Sequence, residues 1–502
     1  MRRNLTPNTI YTALLFIFTA VLFYFHFVRI FDGNFWGDEG FTIRLSQMSF
    51  STMLNTTAED VHPPLYYIIV QLLCKILGYK DYVYHLSSII PYLLTLIVSL
   101  TIIRKKWGNE TAAILIGFAS LLNHSIQFTV EARMYYWGIL FILLAYLQLH
   151  NIINYNRLKD YLLFTLFGLC AAYTHYYCLV SVTFFYAAIL LFMLIKKRYD
   201  WAKLAITYGI TIICYLPWSY YLLKSFIKTS SDYWIEECPE FSECIEFLFE
   251  GKYHKYFFNI LIIVLILALL LELRLLIPND KSQKIIPYSL NTSGLTFSDS
   301  TFFIITGVVS VVGTALGGIV VSALFRPMFI TRYLFPVSVI AWLLMGVCIS
   351  KLKYKFVYSI LVVILICSCG IPEYKKVYNR ENYQNERMAY TLEMTQDIFN
   401  NNEDCILLSD EHSLKWTVLE YCYPGFERDM VDISNLTNEL PQDRAAWLFL
   451  TQELTEEELT DLTNAGFAVD TILSGGHIGG EDVWVYYVMV NPKAFISSDV
   501  VK

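Results

Sequence analysis

The chain has 502 residues, of which 56% are hydrophobic and 16% are charged, and its mean hydropathy is +0.47. A soluble domain carries roughly 25% charged residues, so this composition excludes a soluble protein or a disordered chain and indicates an integral membrane protein. The formal net charge of −7, from 37 basic and 44 acidic residues, combines two unlike parts of the chain.

Eleven apolar runs of spanning or near-spanning length follow one another along the chain. They fall at about 10–31, 84–103, 111–128, 134–153, 160–176, 178–195, 203–222, 256–275, 301–322, 335–350 and 356–371. Several are short for a hydrocarbon core of ~30 Å, which needs roughly 20 helical residues. No small-residue cleavage site follows the long first run, so we expect it to be a crossing and not a cleaved signal peptide.

One further apolar stretch, Leu65–Leu77, contains Lys75 and is too short to span comfortably. If it crossed, the basic cluster at 104–106 would lie on the opposite side from Arg2 and Arg3. If it lies along the membrane surface, the basic clusters share one side, as the positive-inside rule favours. We therefore predict eleven crossings, an inner N-terminus, an outer C-terminus and a juxtamembrane helix at Leu65–Leu77.

The charge divides at the end of the last run. Residues 1–371 contain 28 basic and 20 acidic residues, a net of +8, whereas residues 372–502 contain 9 and 24, a net of −15. Helix-like and strand-like stretches alternate in this tail: Glu386–Asn400, Cys405–Ser409, Ser413–Tyr421, Ala446–Leu450, Glu456–Ala465, Phe467–Leu473 and Val483–Val490. We predict a membrane domain at 1–371 and a small extracytoplasmic α/β domain at 372–502.

Two pairs of cysteines share segments that are predicted to lie outside the membrane. Cys238 and Cys244 lie in one outer loop, and Cys405 and Cys422 lie in the tail. Each pair either forms a disulfide or stays reduced, because spacing alone does not set connectivity. No Cys/His cluster has the spacing of a zinc site.

A glycine-rich segment of the tail surrounds His477. Gly475 and Gly476 precede this residue, and Gly479 and Gly480 follow it. Such glycines suit a phosphate-binding loop if a helix follows. Because no helix clearly follows, the pattern favours a hairpin or loop.

The first outer loop contains two adjacent acids, Asp38 and Glu39, directly after Phe35, Trp36 and Gly37. A carboxylate at the boundary of lipid and water suits a general base, since the apolar side raises its proton affinity and the aqueous side admits an acceptor. The alternative is a pair of solvated loop acids.

The same loop continues with the unit Asp60–Tyr67, in which His62 precedes a proline pair. Proline in the first turn starts a helix, so His62 is predicted at a helix N-terminus. Free N–H groups and the helix dipole favour an anion such as a phosphate there. The alternative is a proline-rich turn with a structural histidine.

Three further outer segments contain polar groups. Arg133 follows Glu131 between two crossings and either closes the loop by pairing with it or contacts a phosphate. His175 and Tyr176 end another crossing, where interfacial anchoring is the ordinary role of such residues. The acidic loop Trp234–Glu250 is typical of a solvated amphipathic segment.

The last outer loop contains Arg326 and Arg332 followed by Tyr333. Two arginines in a short apolar outer loop oppose the positive-inside trend, and forked contacts to a phosphate favour arginine. We therefore interpret this loop as a phosphate contact, with structural pairing as the alternative. All these polar groups share one predicted face, which suits transfer from a lipid phosphate to an outer acceptor.

Five of these segments together resemble the GT-C-fold glycosyltransferases of the protein O-mannosyltransferase and aminoarabinose-transferase kind. The matching segments are Gly37-Asp38-Glu39, Asp60-x-His62-Pro63-Pro64-Leu65-Tyr66, Glu131-Ala132-Arg133-Met134-Tyr135, Thr174-His175-Tyr176 and Arg332-Tyr333-Leu334-x-Pro336. No single segment is specific, whereas five in this order are fairly specific. The resemblance covers about residues 10–371, and the tail resembles the outer domain of some members more weakly.

The resemblance implies a GT-C fold, juxtamembrane helices in the first outer loop, a polyprenyl-phosphate sugar donor and inversion at the anomeric carbon. It implies Asp38 as the general base with Glu39 as its partner. The donor phosphate would be bound by His62, Arg133, Arg332 and Tyr333. Some relatives have lysine in place of His62, so the charge of this contact would depend on pH here.

The further site residues that we consider are Asp60, Tyr66, His175, Tyr176 and Arg326. Some members of the resembling family bind a divalent metal near the first loop, and its ligands here would come from Asp38, Glu39, Asp60, His62 and His175, although their spacing does not require a metal. We expect no other cofactor.

The predicted function is transfer of a sugar from a polyprenyl-phosphate donor to a hydroxyl of a glycolipid, glycan or protein. We expect it at the outer face of a bacterial inner membrane, without a nucleic-acid partner. A lipid-linked sugar transporter or flippase is the alternative, but it predicts charges deep inside helices, where these runs have few. A receptor would keep the polar groups apart, and an O-antigen-ligase-like enzyme needs a larger late loop than 323–334.

Overall fold

The computed structural model describes residues 7–31, 35–197, 200–231, 234–273, 276–278, 288–290, 298–401, 405–411, 414 and 419–490. The helices of the first half are α1 Pro7–Val28, α2 Gly37–Gln47, α3 Phe50–Glu59, α4 Leu65–Leu77, α5 Asp81–Val98, α6 Arg104–Leu121, α7 Asn123–Phe128, α8 Tyr135–Tyr155, α9 Leu158–Ala172, α10 Tyr176–Lys196 and α11 Trp201–Ser231. Those of the second half are α12 Phe241–Phe247, α13 His254–Glu272, α14 Asp299–Leu324, α15 Phe335–Ser350, α16 Lys355–Met394, α17 Asp397–Asn401, α18 Leu419–Cys422, α19 Leu436–Glu439 and α20 Glu456–Asn464.

The strands are short and lie mostly in the tail. They are β1 Leu276–Pro278, β2 Tyr288–Leu290, β3 Cys405–Ser409, β4 Glu427–Met430, β5 Ala445–Leu450, β6 Phe467–Ile478 and β7 Glu481–Val490. Strands β1 and β2 form a separate antiparallel pair. The chain is therefore mainly helical with a small C-terminal sheet, as predicted.

Nine helical stretches in the described residues are long and apolar enough to cross a membrane. The stretch Asp81–Leu121 is broken at Gly108, where φ is 92° and ψ is 172°, so it contains two helical segments. The predicted eleven crossings count both segments and add α9, which has 15 residues. The class of polytopic membrane protein is confirmed, and the number eleven stays a prediction.

Two predicted elements can be compared with the structure directly. Helix α4 has the predicted bounds Leu65–Leu77, and its position along the membrane surface stays a prediction. A continuous apolar helix at 111–128 is wrong, because α6 ends at Leu121 and Leu122 is extended, with φ −77° and ψ 154°. The basic residues Arg2 and Arg3, which helped to orient the chain, lie outside the described residues.

The chain divides into two compact units. The first unit comprises the described residues up to Ile30 together with Phe50–Leu73 and His85–Val377. The second comprises Phe31–Ser49, Cys74–Tyr84 and the described residues from Tyr378 onward. Two pieces of the segment that we predict to be the first outer loop thus belong to the same unit as the tail, and the border at 371/372 stays a prediction.

Close contacts between helices hold the first unit together. The Ser181 and Ser310 hydroxyls lie 2.8 Å apart and join α10 to α14. The Thr111 hydroxyl donates to the Gly346 carbonyl at 3.0 Å, which joins α6 to α15. A Cβ at Gly138 would lie 2.8 Å from Pro336, so only glycine lets α8 and α15 approach this closely. These contacts fix the helices whose ends form the site described below.

A five-stranded mixed sheet with the order β4-β3-β5-β7-β6 forms the core of the second unit. Strand β3 is parallel to both β4 and β5, and β7 is antiparallel to both β5 and β6. Leu407 and Trp447 belong to one buried cluster, and their neighbours Ile406 and Leu448 belong to another. This alternation buries both faces of the sheet, as the period of a strand requires.

The predicted strands of the tail are confirmed, and β4 is an additional strand that the sequence did not indicate, since Glu427–Met430 is largely polar. The predicted helix Ser413–Tyr421 lies mostly outside the described residues. The segment around His477 is the favoured hairpin: Gly479 and Gly480, with φ of 62° and 90°, join β6 to β7. Positive φ at both positions is what a two-residue turn between twisted strands needs.

No disulfide joins either predicted cysteine pair in the described part of the chain. Burial raises the pKa of Cys244 to about 12, with Cys238 and Glu243 adding to it. Burial likewise raises the pKa of Cys422 to about 12, with Asp81 adding to it. Both thiols therefore stay protonated near neutral pH and behave as small buried hydrophobes.

Candidate functional site

His62 lies just before helix α4 and is paired with Asp60 in the first unit. The Nδ1 atom of His62 and the Oδ2 atom of Asp60 are 3.1 Å apart. Burial raises the pKa of Asp60, but the His62 contact and the charge of Arg133 together lower it by more. The pKa of Asp60 therefore lies below its ordinary value. Asp60 is therefore a carboxylate that orients His62.

His175 is buried at the start of α10 and is the N-cap of that helix. Its Nδ1 atom accepts the Tyr177 N–H at 3.2 Å. Burial lowers the pKa of His175 well below its ordinary value, and the charges of His62, Arg133 and Arg332 lower it further. A neutral imidazole whose Nδ1 accepts a hydrogen bond carries its proton on Nε2. The Nε2 atom is buried and has no hydrogen-bond partner in the described part of the chain.

Aromatic rings surround the His175 imidazole. The centroid of Tyr333 lies 5.1 Å from it, that of Tyr177 5.9 Å and that of His62 5.9 Å. Tyr135 follows at 6.2 Å. Segments far apart in the chain thus meet around one histidine.

Two arginines act on the same histidine. Arg133 is 3% exposed, and its charge lowers the pKa of both Asp60 and His175. Arg332 lies on the short turn Thr331–Leu334 and also acts on His175. All four predicted phosphate contacts, His62, Arg133, Arg332 and Tyr333, are therefore gathered around His175.

A groove of about 310 Å³ opens beside this polar cluster, between α10, α11 and α14. Its walls are mainly apolar and include Val180, Leu222, Phe226, Gly317, Val321 and Met328. The polar residues at the groove are His62, His175, Tyr176, Tyr177 and Tyr333, together with Ser225 and Thr229 of α11. The arrangement is a largely apolar groove with hydrogen-bonding groups in its lining, which suits an apolar chain attached to an anion.

The predicted catalytic carboxylates lie in the second unit, in the first turn of α2. Asp38 and Glu39 follow Gly37, where acidic residues stabilise a helix by interaction with its dipole. A Glu39 oxygen accepts the Trp36 N–H at 3.3 Å, so Glu39 caps the helix that contains Asp38. Asp38 is half-buried, and its Oδ2 atom is inaccessible to solvent.

The remaining predicted residues fall into different surroundings. The Tyr66 hydroxyl lies 2.8 Å from the Ser87 hydroxyl and is fully buried. The Tyr176 hydroxyl accepts the Trp218 indole N–H at 3.3 Å at the wall of the groove. Arg326 is half-buried in the loop that precedes Arg332. Of these three residues, only Tyr176 is at the groove.

A second, polar cavity of about 530 Å³ was not foreseen from the sequence. It is lined by residues that include His124, Glu246, Glu250, His254 and Thr331. Burial and the charge of Arg332 lower the pKa of His124 to about 4. The sequence signal for this cavity is the acidic loop Trp234–Glu250. The sequence predicts a solvated amphipathic segment there, and in the structure this loop forms one wall of the cavity.

The predicted metal ligands that lie in the first unit are Asp60, His62 and His175. Among the described residues, no cluster of three or more His, Cys, Asp and Glu side chains is arranged to hold a metal ion. The pair of His62 and Asp60 and the neighbouring His175 are engaged with each other and with the ring of tyrosines. The donor set therefore suits hydrogen bonding to an anion better than cation coordination.

The fold of the chain is similar to that of two solved ArnT structures. The chain is similar to ArnT from Cupriavidus metallidurans in the apo state, at 11% sequence identity and a TM-score of 0.59. The similarity covers 95% of this chain and 98% of that one. It is also similar to the same protein bound to undecaprenyl phosphate, at 12% identity and a TM-score of 0.58, with the same coverage. No protein-family model and no curated protein sequence matches the chain.

Proposed function

We propose that this protein is a glycosyltransferase that takes a sugar from a polyprenyl-phosphate donor and transfers it to a hydroxyl of an outer glycolipid, glycan or protein. We place the reaction on the periplasmic side of a bacterial inner membrane. The observation that carries the proposal is the buried Nε2 of His175, which has no hydrogen-bond partner among the described residues and belongs to a side chain that lines an apolar groove. A neutral N–H donor in such a place is costly unless a ligand accepts its hydrogen bond.

The groove supports the lipid part of this proposal. A polyprenyl chain gains roughly 0.8 kcal/mol for each methylene that it buries, so an apolar channel binds it without specific contacts. Its phosphate would then meet His175, Tyr333 and Arg332, which offer a neutral donor, a hydroxyl and a permanent positive charge. Undecaprenyl phosphate bound to a structural neighbour of the same fold gives this proposal further support.

The chemistry is an in-line displacement at the anomeric carbon of the donor sugar. The acceptor oxygen forms a bond to C1 while the bond from C1 to the phosphate oxygen breaks. Asp38 takes the proton of the acceptor hydroxyl, and the leaving polyprenyl phosphate keeps the electron pair. Arg332, Tyr333 and the His175 N–H stabilise the charge that develops on the leaving oxygen. Attack opposite the leaving group inverts the configuration.

A glycine pair in the membrane helices offers a matched test of the groove. Gly317 lines it, and a Cβ there would lie 3.7 Å from Val180. Gly209 of α11 has open space around it. We expect Gly317→Leu to weaken binding of undecaprenyl phosphate to the purified full-length protein at least tenfold, because the side chain fills the channel, and Gly209→Leu to leave the affinity within twofold.

Mass spectrometry of envelope glycolipids and glycoproteins, with and without the protein, tests the reaction itself. Loss of one sugar from one acceptor is the expected result. In cells without the protein, a sugar-linked lipid could instead accumulate on the inner side of the membrane while every acceptor keeps its sugar. That result would identify a flippase and contradict the proposed transfer. Equal binding by the two leucine variants would contradict the assignment of the groove.

A further inference from the structure

The short helix α2, which contains Asp38, is held within the second unit by contacts to the C-terminal α/β domain. Its 11 residues include two glycines, and isolated helices of this length are marginal in water. The contacts that connect this segment to the tail among the described residues include one before the helix, one at its N-cap and one near its end.

The first contact is aromatic and lies just before the helix. The ring of Phe35 meets Tyr421 of α18 edge to face, with centroids 5.6 Å apart and an angle of 90°. The Tyr421 hydroxyl in turn donates to the Asp81 carboxylate at the start of α5. Phe35 also meets Tyr84 edge to face at 5.8 Å. Phe35 is therefore enclosed between the tail and the second piece of the first outer loop.

The second contact is a close backbone approach at the turn of the β6–β7 hairpin. A Cβ at Gly480 would lie 3.0 Å from the Cβ of Trp36, the N-cap residue just before α2. The hairpin is itself fixed to the end of α16, since Arg387 donates to the Gly476 carbonyl at 2.8 Å and binds Asp482 at 2.7 Å. The N-terminal end of α2 therefore packs against a hairpin that is itself held by hydrogen bonds and an ion pair to α16.

The third contact is an ion pair near the end of the helix. The Nε atom of Arg44 lies 3.4 Å from a carboxylate oxygen of Glu420, and each side chain is about one-third exposed. Such a pair contributes little to overall stability, but its charges define the orientation of α2 against α18.

We propose that the C-terminal domain positions the Asp38 helix for catalysis, with Gly480, Tyr421 and Glu420 as positioning residues. This inference rests on the proposed function, because it assigns Asp38 the role of general base. The acidic tail would then determine the position of the Asp38 carboxylate and would not itself bind substrate. A displacement of a catalytic group by 1 Å can lower the reaction rate by about a hundredfold.

Two glycines of the tail provide a matched pair of variants. Gly480 and Gly425 have φ of 90° and 92°, so alanine strains the backbone equally at both, but nothing lies within 4 Å of a Cβ at Gly425. We expect Gly480→Ala to lower sugar transfer about a hundredfold and to leave binding of undecaprenyl phosphate within twofold. Gly425→Ala should change neither. Equal losses in both variants, or a matching loss of binding in Gly480→Ala, would overturn the positioning role.

A charge exchange gives a rescue test. Arg44→Glu and Glu420→Arg each place like charges together and should lower transfer about tenfold, whereas the double variant restores the pair and should recover activity to within threefold of the wild type. A double variant that is as slow as either single variant would contradict the proposal.

Amide hydrogen exchange over residues 37–47 separates this inference from the proposed function. Exchange should be about tenfold faster in Gly480→Ala and in Arg44→Glu, and normal in Gly425→Ala and in the double variant. If the wild type transfers no sugar, the proposed function fails, and the exchange pattern still decides whether the tail holds α2. Unchanged exchange in Gly480→Ala would sink the inference even if transfer occurs.

Discussion

The cluster around His175 and the helix with Asp38 are built in different ways. Around His175, residues from distant segments converge at the ends of long helices. His175, Arg133 and Tyr333 are buried there, whereas His62 and Arg332 are half-buried. Asp38 lies on a helix of 11 residues. Its contacts with the tail among the described residues include a ring pair, a close approach of Gly480 and an ion pair whose side chains are about one-third exposed. The first arrangement is formed by the ends of helices that are distant in the chain, and the second by one short helix that packs within the unit of the tail.

This difference predicts a division of labour between binding and turnover. Changes around His175 should alter the affinity for a lipid phosphate, because the cluster and the groove belong to one unit. Changes in α2 or in its contacts with the tail should alter the rate of transfer and leave that affinity alone. A single variant that changed both the affinity for lipid phosphate and the rate of transfer would contradict this division between the two regions.

The largest effect is expected for Asp38→Asn. The amide cannot accept the proton of the acceptor hydroxyl, so transfer should fall by about 10²- to 10⁴-fold. Binding of undecaprenyl phosphate should remain within twofold, measured by titration of the purified protein. Asp470→Asn, at an exposed position on β6, is the control and should behave as the wild type. Full activity of Asp38→Asn would remove the general base from the mechanism.

The next effect concerns the two arginines of the last outer loop. Arg332→Gln removes one of the charges that act on His175, and charge-assisted hydrogen bonds contribute about 1.5–3 kcal/mol. We expect binding of undecaprenyl phosphate to weaken by about 10- to 100-fold. Arg326→Gln, in the same loop, should weaken binding of undecaprenyl phosphate less than Arg332→Gln does. The reverse ranking of the two variants would place the phosphate beside Arg326.

A smaller effect is expected at His175 itself. His175→Phe keeps an aromatic ring but removes the N–H donor, which should weaken binding of undecaprenyl phosphate about fivefold, since a neutral hydrogen bond contributes about 1 kcal/mol. His175→Asn can cap α10 and still donate, so it should recover part of the affinity. If the two variants bind equally well, the hydrogen bond is not the contribution of this residue.

The smallest effect is a pH dependence of stability. The pKa of His175 is lowered in the folded protein, so below about pH 6.5 the unfolded chain binds more protons and stability falls as the pH falls. Lowering the pH from 7 to 5 should therefore reduce the stability of the fold through this residue. His175→Phe should show a shallower decline of Tm over that range. An identical decline would mean that His175 does not remain neutral in the fold.

Much of the fold followed from local patterns in the sequence. Helix α4 has its predicted bounds, and the four predicted strands of the tail are present, because apolar length and the alternation of side chains are local properties. The hairpin at Gly479 and Gly480 followed from turn chemistry. The polar edge strand β4 did not, since Glu427–Met430 owes its conformation to pairing with β3.

The sequence by itself determined that this is a membrane protein with an acidic α/β tail, and it supplied the residues that meet around His175. Only the tertiary structure decided that His175 is the centre of that cluster, that Glu39 caps its own helix and that α2 belongs with the tail. Composition and periodicity report what each segment buries. Which buried atom is left without a partner depends on segments that are distant in the chain and adjacent in the fold.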